Sequence, residues 1–483
     1  MSRNLLLLLS LLISLQTMGQ SKSELANKAV FNKIEFFINT QMTDSIYNLA
    51  SENFKSHVPP EQLAFALNNL YQLGKIEQVE VVDFKQHTAT YLLKFNTVAL
   101  HVKLAVDSSL RYDLLSFSAA EQARPKKADK TEVISQVEKV SPLDFYIDSL
   151  ANSYVKKGNT QSLAIATFHQ NTYKTFFYGE TEAGNQTLPT ETTLYEIGSL
   201  TKVFTAVLLA DLVTKNVIQL DDSIIKYLPD SVTANPALKA ITFKELANHT
   251  SGLPRMADNW NTVAGFAAKD PYAAYDRKAL FAYLKNFQPT REAGDAYEYS
   301  NVGFGLLGEL ISMISKKPYM QYLQETLLTP LQLLNTTDKP DAKKQQTLIK
   351  VYDEDGNHTP VWNWKALVGA GGLKSTVKDL TLFATEQFKM PQNELQNAMA
   401  LTRQFTFFTP DNTDIGLAWH MRMLDGLIYF NHAGGTGGSS SFIGISPDTK
   451  TSVVVLSNAA ESVATISSAI MEKLLQQPQQ GTN

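Results

Sequence analysis

The chain has 483 residues, a length that predicts about two or three domains rather than one. Hydrophobic residues make up 44% of it, which excludes global disorder because a large core can form. The net charge of -4 excludes nucleic acid as the main partner, since no strong positive field is present. The chain has no cysteine, which excludes disulfide bonds, a lipid-bearing cysteine and a thiol nucleophile.

The first residues have the pattern of a secretory signal peptide. Arg3 supplies a positive start, an apolar run extends from Leu5 to Leu15, and small residues before Gln20 form a cleavage site. We therefore predict a signal peptide over residues 1–19, with an uncleaved N-terminal anchor as the alternative. No later segment approaches the roughly 20 apolar residues that a membrane span needs. The mature protein is expected in a periplasm or outside the cell, with no membrane span.

Residues 22–118 predict a small α+β domain. Apolar residues recur at helical spacing in Leu25–Asn39 and Pro60–Leu73, and strand-like runs follow from Val79 to Phe117. In element order this unit resembles the cystatin-like α+β domains that precede some exported hydrolases. Its role is unknown; it is a candidate for binding a ligand, a cell-wall fragment or the second domain.

Residues 119–141 are polar and charge-dense, which predicts a linker that is helical near its end. A second domain is predicted over 142–475, followed by a disordered tail, 476–483. It begins with a helix and a hairpin, continues with mainly helical segments, and returns to strands between Ile415 and Leu456. The predicted fold is therefore an antiparallel sheet, built from both ends of the domain and flanked by helices, with a helical lobe inserted.

The clearest candidate site is the stretch from Tyr195 to Lys202, which contains Ser199 and runs into an apolar segment without Gly or Pro. That pattern predicts a buried helix over 199–217, with Ser199 in its first turn, where free backbone N–H groups can stabilise an oxyanion. Lys202 lies three residues on and shares a face with Ser199. A desolvated lysine there can accept the serine proton. The same Ser-x-x-Lys spacing recurs elsewhere in the chain, so the assignment of Ser199 and Lys202 depends on the motifs that follow them in the sequence.

Two further segments supply the other groups that acyl transfer through a serine requires. Tyr299 and Asn301 stand just before an apolar helix. The base is either Lys202 or a Tyr299 phenolate whose pKa Lys202 lowers, and Tyr299 can return the proton to the leaving group. The amide of Asn301 can donate and accept hydrogen bonds to a substrate.

The third segment is the glycine-rich stretch that follows His432, predicted as a turn directly after a strand. Gly434 and Gly435 allow a strand edge to approach a substrate closely. The backbone N–H of Gly435 is a candidate second oxyanion donor beside that of Ser199. A second Tyr-x-Asn, at Tyr429 and Asn431, is interpreted as structural.

In these three motifs the chain resembles the serine hydrolase family of class C β-lactamases, D-alanyl-D-alanine carboxypeptidases and related esterases. The resemblance covers about residues 143–475, and two supporting stretches match as well, Asn248–Pro254 and Ala370–Thr376. It implies a β-lactamase/transpeptidase-like fold and catalytic roles for Ser199, Lys202, Tyr299 and His432, with no metal or cofactor. Dedicated β-lactamases carry Lys where His432 stands, which argues against efficient penicillin hydrolysis.

Three aromatic residues have two interpretations each. His249 is interpreted as a hydrogen-bonding brace of its loop rather than as a base. Trp362 and Trp364 either line the substrate cleft or pack in the core.

The leading hypothesis is an exported serine hydrolase that forms an acyl-enzyme at Ser199 on an amide or an ester. A D-amino-acid peptide related to cell-wall stems is the first expected substrate, and an ester is the second. The alternatives are a catalytically weak binding or regulatory protein of the penicillin-binding type and a class C-like β-lactamase.

Overall fold

The computed structural model describes residues 22–85, 87–95, 98–119, 127–409 and 414–477. The predicted signal peptide, and residues 478–483 of the predicted tail, lie outside the described residues. Within those ranges no helix has both the length and the apolar composition needed to cross a membrane. The chain divides into two compact units, 1–124 and 125–483.

In the first unit, helices precede a four-stranded antiparallel sheet in the order β1-β2-β3-β4. The helices α1–α4 span Lys22–Asn39, Thr43–Asn48, Glu52–His57 and Pro60–Tyr71, and the strands β1–β4 span Gln78–Lys85, Thr88–Lys94, Ala99–Val106 and Tyr112–Ala119. The two short helices α2 and α3 have no counterpart in the sequence-based prediction, because six residues are too few to display a helical period.

The second unit is built on an eight-stranded antiparallel sheet with the order β12-β13-β14-β15-β16-β6-β7-β5. Strands β5–β16 span Ser135–Gln136, Ser162–His169, Thr172–Gly179, Tyr195–Glu196, Val351–Tyr352, His358–Thr359, Lys374–Ser375, Asp414–Ile415, His420–Leu424, Leu427–Gly435, Ser440–Ser446 and Thr451–Ser457. Because β6 pairs with β16, the sheet joins both ends of the unit, with the helical lobe inserted between them. The predicted fold class is confirmed.

Helices surround this sheet and form the lobe. Helices α5–α16 span Pro142–Val155, Thr201–Thr214, Asp230–Thr233, Phe243–Ala247, Arg277–Asn286, Asn301–Ser315, Tyr319–Leu323, Ala342–Gln345, Val368–Gly371, Val377–Glu386, Glu394–Thr402 and Ala464–Leu475. Side chains of the central strands alternate between the two faces of the sheet. Leu163 and Ile165 pack in the cluster that contains residues of α5 and α16, whereas Ala164 and Ala166 belong to the main core with α6 and α14.

Helix α6 lies at the centre of the second unit, and its residues from Thr201 to Leu212 are all buried. A helix that is buried on every side must be surrounded by protein, and α6 packs against α10, α13 and α15. The ring of Phe204 stacks on that of Phe383, with 4.5 Å between the ring centroids. Helix α6 begins at Thr201, two residues later than predicted, because Ser199 lies in a 3₁₀ turn, Gly198–Leu200, directly before it.

Four local predictions differ from the structure. From its sequence the stretch 224–229 is predicted to be extended, but residues Ile224–Tyr227 form a 3₁₀ turn. The strand expected over 415–421 is interrupted, because Ala418 adopts a φ of 66° that ends regular pairing. Near the expected helical end of the linker, β5 forms instead and pairs with β7. The glycine-rich stretch begins within β14, which continues through Gly435, and its turn comes later than predicted, at residues 436–439 before β15.

Truncating the core leucine Leu208 tests how strongly the second unit depends on α6. Leu208→Ala removes a fully buried side chain, so the free energy of unfolding should fall by about 2–5 kcal/mol. Leu382→Ala, at a leucine that is 40% exposed in α14, should change it by less than about 1 kcal/mol. Urea-induced unfolding measures both, and equal losses in the two variants would contradict the packing described.

Candidate active site

The Ser199 hydroxyl opens into a cleft of about 610 Å³ at the junction of the sheet and the helical lobe. The turn that contains Ser199 directly follows strand β8. This strand pairs with β11, so that Glu196 lies opposite Lys374. Glu196 is buried, and its carboxylate accepts hydrogen bonds from the backbone N–H of Trp362 at 2.8 Å and from the Thr436 hydroxyl at 2.9 Å. This carboxylate thereby fixes both loops that border the nucleophile.

Lys202 is fully buried beneath Ser199. Its Nζ lies 3.3 Å from the Ser199 Oγ, 2.8 Å from the Asn301 Oδ1 and 2.7 Å from the carbonyl oxygen of Ala370. Burial lowers the pKa of Lys202 well below its usual value, and the charge of Arg255 lowers it further. The helical spacing thus places the amine beside the serine, as predicted. The carbonyl oxygens of Asn301 and Ala370 are two further hydrogen-bond partners of the amine.

Tyr299 and Asn301 are fixed by the loop that ends at Arg255. Ser300 caps helix α10, since its Oγ accepts from the Gly303 N–H at 2.8 Å. The Ser300 N–H donates to the His249 Nδ1 at 3.0 Å, and the Asn301 N–H donates to the Arg255 carbonyl oxygen at 3.0 Å. Because the Asn301 Oδ1 accepts from Lys202, its Nδ2 amide group is left to face the cleft.

Tyr299 lines the cleft together with Ser199, and its side chain is half-buried. The His249 ring lies 4.3 Å from the Tyr299 ring centroid, and the Lys202 Nζ lies 4.7 Å from it. Burial raises the pKa of Tyr299, an effect larger than the lowering by Ser199 and Arg255. Burial thus disfavours the phenolate, one of the two bases considered from the sequence, and the pKa of Lys202 is itself lowered.

The third motif passes directly beside the nucleophile turn. A Cβ atom on Gly434 would lie 2.2 Å from the Ile197 carbonyl oxygen and 3.0 Å from the Ser199 nitrogen. A Cβ atom on Gly198, whose φ is 48°, would lie 2.8 Å from the Gly435 nitrogen. The backbones of Gly198–Ser199 and Gly434–Gly435 are therefore in close contact, which requires glycine at positions 198 and 434.

His432 is buried beside this contact, and its Nδ1 lies 2.8 Å from the Ala433 carbonyl oxygen. The ring must donate its Nδ1 proton to that carbonyl, so the Nε2 carries the lone pair. The buried Nε2 has no hydrogen-bond partner among the described residues. Burial lowers the pKa of His432 well below its usual value, and the neighbouring His420 contributes in the same direction.

His249 is a brace of its loop, as interpreted from the sequence, and it adopts a φ of 63°. Trp362 and Trp364 both line the cleft, which is the first of the two interpretations made from the sequence. With Tyr272 they form an aromatic wall, in which the Tyr272 and Trp364 centroids are 4.2 Å apart. A Cβ atom on Gly371 would lie 2.4 Å from Trp364, and a Cβ atom on Gly437 would lie 2.7 Å from Trp362. The absence of a side chain at Gly371 and Gly437 therefore lets both indole rings pack directly against the backbone.

Other cleft residues were not expected from the sequence: Arg255, Tyr272, His420, Arg422 and the cleft-facing Asn431. Arg255 directly follows the supporting stretch Asn248–Pro254, which was an available signal. His420 and Arg422 gave none, because they reach the cleft only through the pairing of β13 with β14. Within the described ranges, no group of three or more His, Asp or Glu side chains is arranged to hold a metal ion.

A serine hydroxyl, a buried amine, a tyrosine hydroxyl and adjoining backbone amides at the edge of an antiparallel sheet define a serine hydrolase. The family model described as Beta-lactamase matches residues 147–475. The chain therefore belongs to the β-lactamase family, as the motifs predicted.

Proteins with different names and activities are similar to the chain. The chain is 27% identical over 321 residues to the D-alanyl-D-alanine-carboxypeptidase/endopeptidase AmpH of Escherichia coli K12, covering 63% of this chain and 80% of AmpH. It is 27% identical over 323 residues to Protein flp of Staphylococcus aureus MW2, covering 65% of this chain and 62% of that protein. It is 24% identical over 345 residues to a Beta-lactamase of Pseudomonas fluorescens, covering 65% of this chain and 92% of that protein.

Solved structures share the fold. A class C β-lactamase superposes with a TM-score of 0.62 at 23% identity, over 70% of this chain and 97% of that one. The Beta-Lactamase/D-Alanine Carboxypeptidase from Pseudomonas syringae superposes with a TM-score of 0.61 at 23% identity, over 70% of this chain and all of that one, 100%. These likenesses confirm the predicted architecture of the second unit.

Two neighbouring glycines provide a matched test of the close contact beside Ser199. Gly434→Ala should separate β14 from the Ser199 turn, because the new Cβ would clash with backbone; we expect about 1–3 kcal/mol of destabilisation and at least a tenfold slower labelling by a fluorophosphonate. Gly435→Ala meets nothing closer than 3.8 Å and should stay within about threefold of wild type. Thermal unfolding and labelling rates measure both; equal tolerance of the two would refute the contact.

Proposed function

We propose that this chain is an exported serine hydrolase that forms an acyl-enzyme at Ser199. The observation that carries the proposal is the buried Lys202 amine 3.3 Å from the Ser199 Oγ. The signal-like sequence at residues 1–19 supports export. The proposed first substrate is a D-amino-acid peptide, in keeping with the carboxypeptidase activity for which AmpH is named, and an ester is the second.

Lys202 is the proposed base. A neutral amine has two N–H donors and one lone pair. The two carbonyl oxygens of Asn301 and Ala370, at 2.8 and 2.7 Å, take both donors, so the lone pair is left for the Ser199 hydroxyl. The lowered pKa of Lys202 keeps more of the amine in this unprotonated form at neutral pH.

Tyr299 is proposed as the proton donor to the leaving group, since its raised pKa keeps the hydroxyl protonated. Ser199 Oγ forms the new bond to the acyl carbon while its proton passes to Lys202. The leaving group departs with a proton that Tyr299 relays. The backbone N–H groups of Ser199 and Gly435 are the proposed donors to the oxyanion. Asn301 would hold the acyl side of the substrate through its Nδ2.

His432 supports a peptidase or esterase rather than an efficient β-lactamase. Its lowered pKa leaves it neutral, so it brings no positive charge to the carboxylate of a penicillin. The lone pair on its Nε2 suits an N–H or O–H of a substrate or of Tyr299. Water then attacks the acyl-enzyme, and the product acid leaves with Ser199 regenerated.

Intact-protein mass spectrometry tests the nucleophile. The purified chain should gain one adduct after exposure to a fluorophosphonate and, separately, to a penicillin, and Ser199→Ala should gain neither. A long-lived penicillin adduct is expected, since deacylation of the drug should be slow. The mass of the untreated protein reports whether residues 1–19 have been removed. An absence of any Ser199-dependent adduct would favour the rival binding or regulatory protein.

The pH dependence of acylation identifies the base. The rate of fluorophosphonate labelling should rise with pH and level off at the Lys202 pKa, which lies below the usual 10.5 because the buried amine sheds its proton early. A Tyr299 base would instead place the rise above pH 10, because burial raises that pKa from 10.0. Stopped-flow or quenched labelling between pH 5 and 11 measures this.

Two variants serve as controls for that profile. Lys202→Arg keeps the positive charge but cannot act as base, so the rate should fall by about 10²–10⁴-fold. Tyr299→Phe should lower the plateau and keep the pH rise. A Tyr299→Phe profile that has lost its rise would assign the base to Tyr299.

A further inference from the structure

The Glu196 carboxylate lies between the two segments that supply the proposed oxyanion donors. Glu196 stands in β8, three residues before Ser199. Its Oε2 accepts the hydroxyl proton of Thr436 at 2.9 Å, and Thr436 directly follows Gly435. One buried side chain therefore connects the chain around the Ser199 N–H to the chain around the Gly435 N–H.

The Thr436 hydroxyl donates to this carboxylate because its oxygen also closes the turn at residues 436–439. The oxygen accepts from the Ser439 N–H at 3.1 Å and from the Gly438 N–H at 3.3 Å. A hydroxyl has two acceptor lone pairs and one proton. The turn uses both lone pairs, so the proton is left for Glu196. The hydroxyl thus shapes the turn and binds it to Glu196.

The hydrogen bonds of Glu196 are those of an ionised carboxylate. Its Oε1 accepts from the backbone N–H of Trp362 at 2.8 Å and its Oε2 accepts from Thr436, so both oxygens act as acceptors. Lys374, the neighbour of Glu196 across the pair of β8 and β11, supplies the compensating charge. The Lys374 amine donates to three carbonyl oxygens, one for each N–H of an ammonium group: those of Asp338, Trp362 and Gly372, at 3.1, 3.2 and 3.3 Å.

Burial acts against both charges. It raises the pKa of Glu196; the charge of Lys374 and the two hydrogen bonds offset part of that rise, and the carboxylate of Asp270 adds to it. Burial also lowers the pKa of Lys374, against the charge of Glu196. A buried pair of charges contributes little to stability once the cost of desolvation is included. Its effect here is on position, because it holds two loops against the strand that leads to Ser199.

We propose that Glu196 is a positioning residue for acylation, which places the Gly435 N–H relative to the Ser199 N–H through its hydrogen bond with Thr436. This inference rests on the proposed function and adds a residue to its machinery. Two oxyanion donors act together only when both lie about 2.7–3.1 Å from the oxygen that becomes charged. The spacing between the two segments therefore affects the rate, although Glu196 itself does not line the cleft.

Two variants of Thr436 that differ only in the hydroxyl and a methyl group test the assignment. Thr436→Val keeps the branched shape but removes the connection to Glu196. Fluorophosphonate labelling at Ser199 should slow by about 10- to 100-fold, less than the loss of a whole oxyanion donor. Thr436→Ser keeps the hydroxyl and should stay within about threefold of wild type. Thr381→Val, which removes a buried hydroxyl from α14, is the matched control and should also stay within about threefold.

Saturation kinetics of labelling separate positioning from a general loss of structure. A displaced donor acts on the transition state, so Thr436→Val should lower the limiting rate constant. The reagent concentration that gives half of that rate should change by less than about threefold. A disordered cleft would change both quantities. Thermal unfolding of each variant is measured alongside, and labelling is compared well below the lowest melting temperature.

Glu196→Gln tests the same connection from its other end. The amide oxygen can still accept from the Trp362 N–H, but the NH₂ group faces a hydroxyl whose lone pairs are already used. Labelling should slow by about 10- to 100-fold. The double variant with Thr436→Val should lie within about threefold of the slower single variant, because both changes remove one connection.

Four results would overturn the role of Glu196. They are labelling at the wild-type rate by Thr436→Val, labelling at the wild-type rate by Glu196→Gln, equal slowing by Thr436→Ser and Thr436→Val, and effects that multiply in the double variant. In all four, wild type still shows Ser199-dependent labelling, so the proposed function stands. If wild type shows no such labelling, the proposed function fails, and this inference fails with it.

Discussion

The burial of the Lys202 amine is the constraint on which the site depends. Enclosing an amine is costly unless its polar atoms find partners. Here the partners come from three separate places in the chain: Ser199 before helix α6, Asn301 at the start of α10, and Ala370 in α13. The amine is satisfied only when all three are in position. The amine that the proposed mechanism needs in an unprotonated state therefore also connects the three segments around it.

The cleft is bounded on its other side by a contact between backbones rather than between side chains. Gly198 and Gly434 allow the Ser199 turn and β14 to lie closer than any larger residue permits. The Glu196 carboxylate holds the neighbouring loops that contain Trp362 and Thr436, and the aromatic wall borders the same side of the cleft. Because the proposed oxyanion donors are main-chain amides, their positions depend on this backbone contact and on the sheet that carries β14.

The sequence predicted those parts of the molecule that depend on short-range patterns. The helical spacing of Ser199 and Lys202, the capped helix after Tyr299 and the strands at both ends of the second unit all follow from local rules. The sequence did not predict what depends on long-range packing. The raised pKa of Tyr299 comes from burial by His249 and its neighbours, which no local motif records. His420 and Arg422 reach the cleft through strand register, and the break at Ala418 comes from a backbone conformation that its residue type does not signal.

The pairing of β6 with β16 has a consequence for the order in which the molecule comes into existence. A ribosome produces Ser199, Lys202 and Tyr299 well before the strand that contains Gly434 and Gly435, and β14 is held in the sheet through β15 and β16. A nascent or truncated chain therefore contains the nucleophile without the backbone contact beside it. Closing so distant a pairing is slow compared with forming local helices. The backbone contact beside Ser199 is therefore completed only after β14 has joined the sheet through β15 and β16.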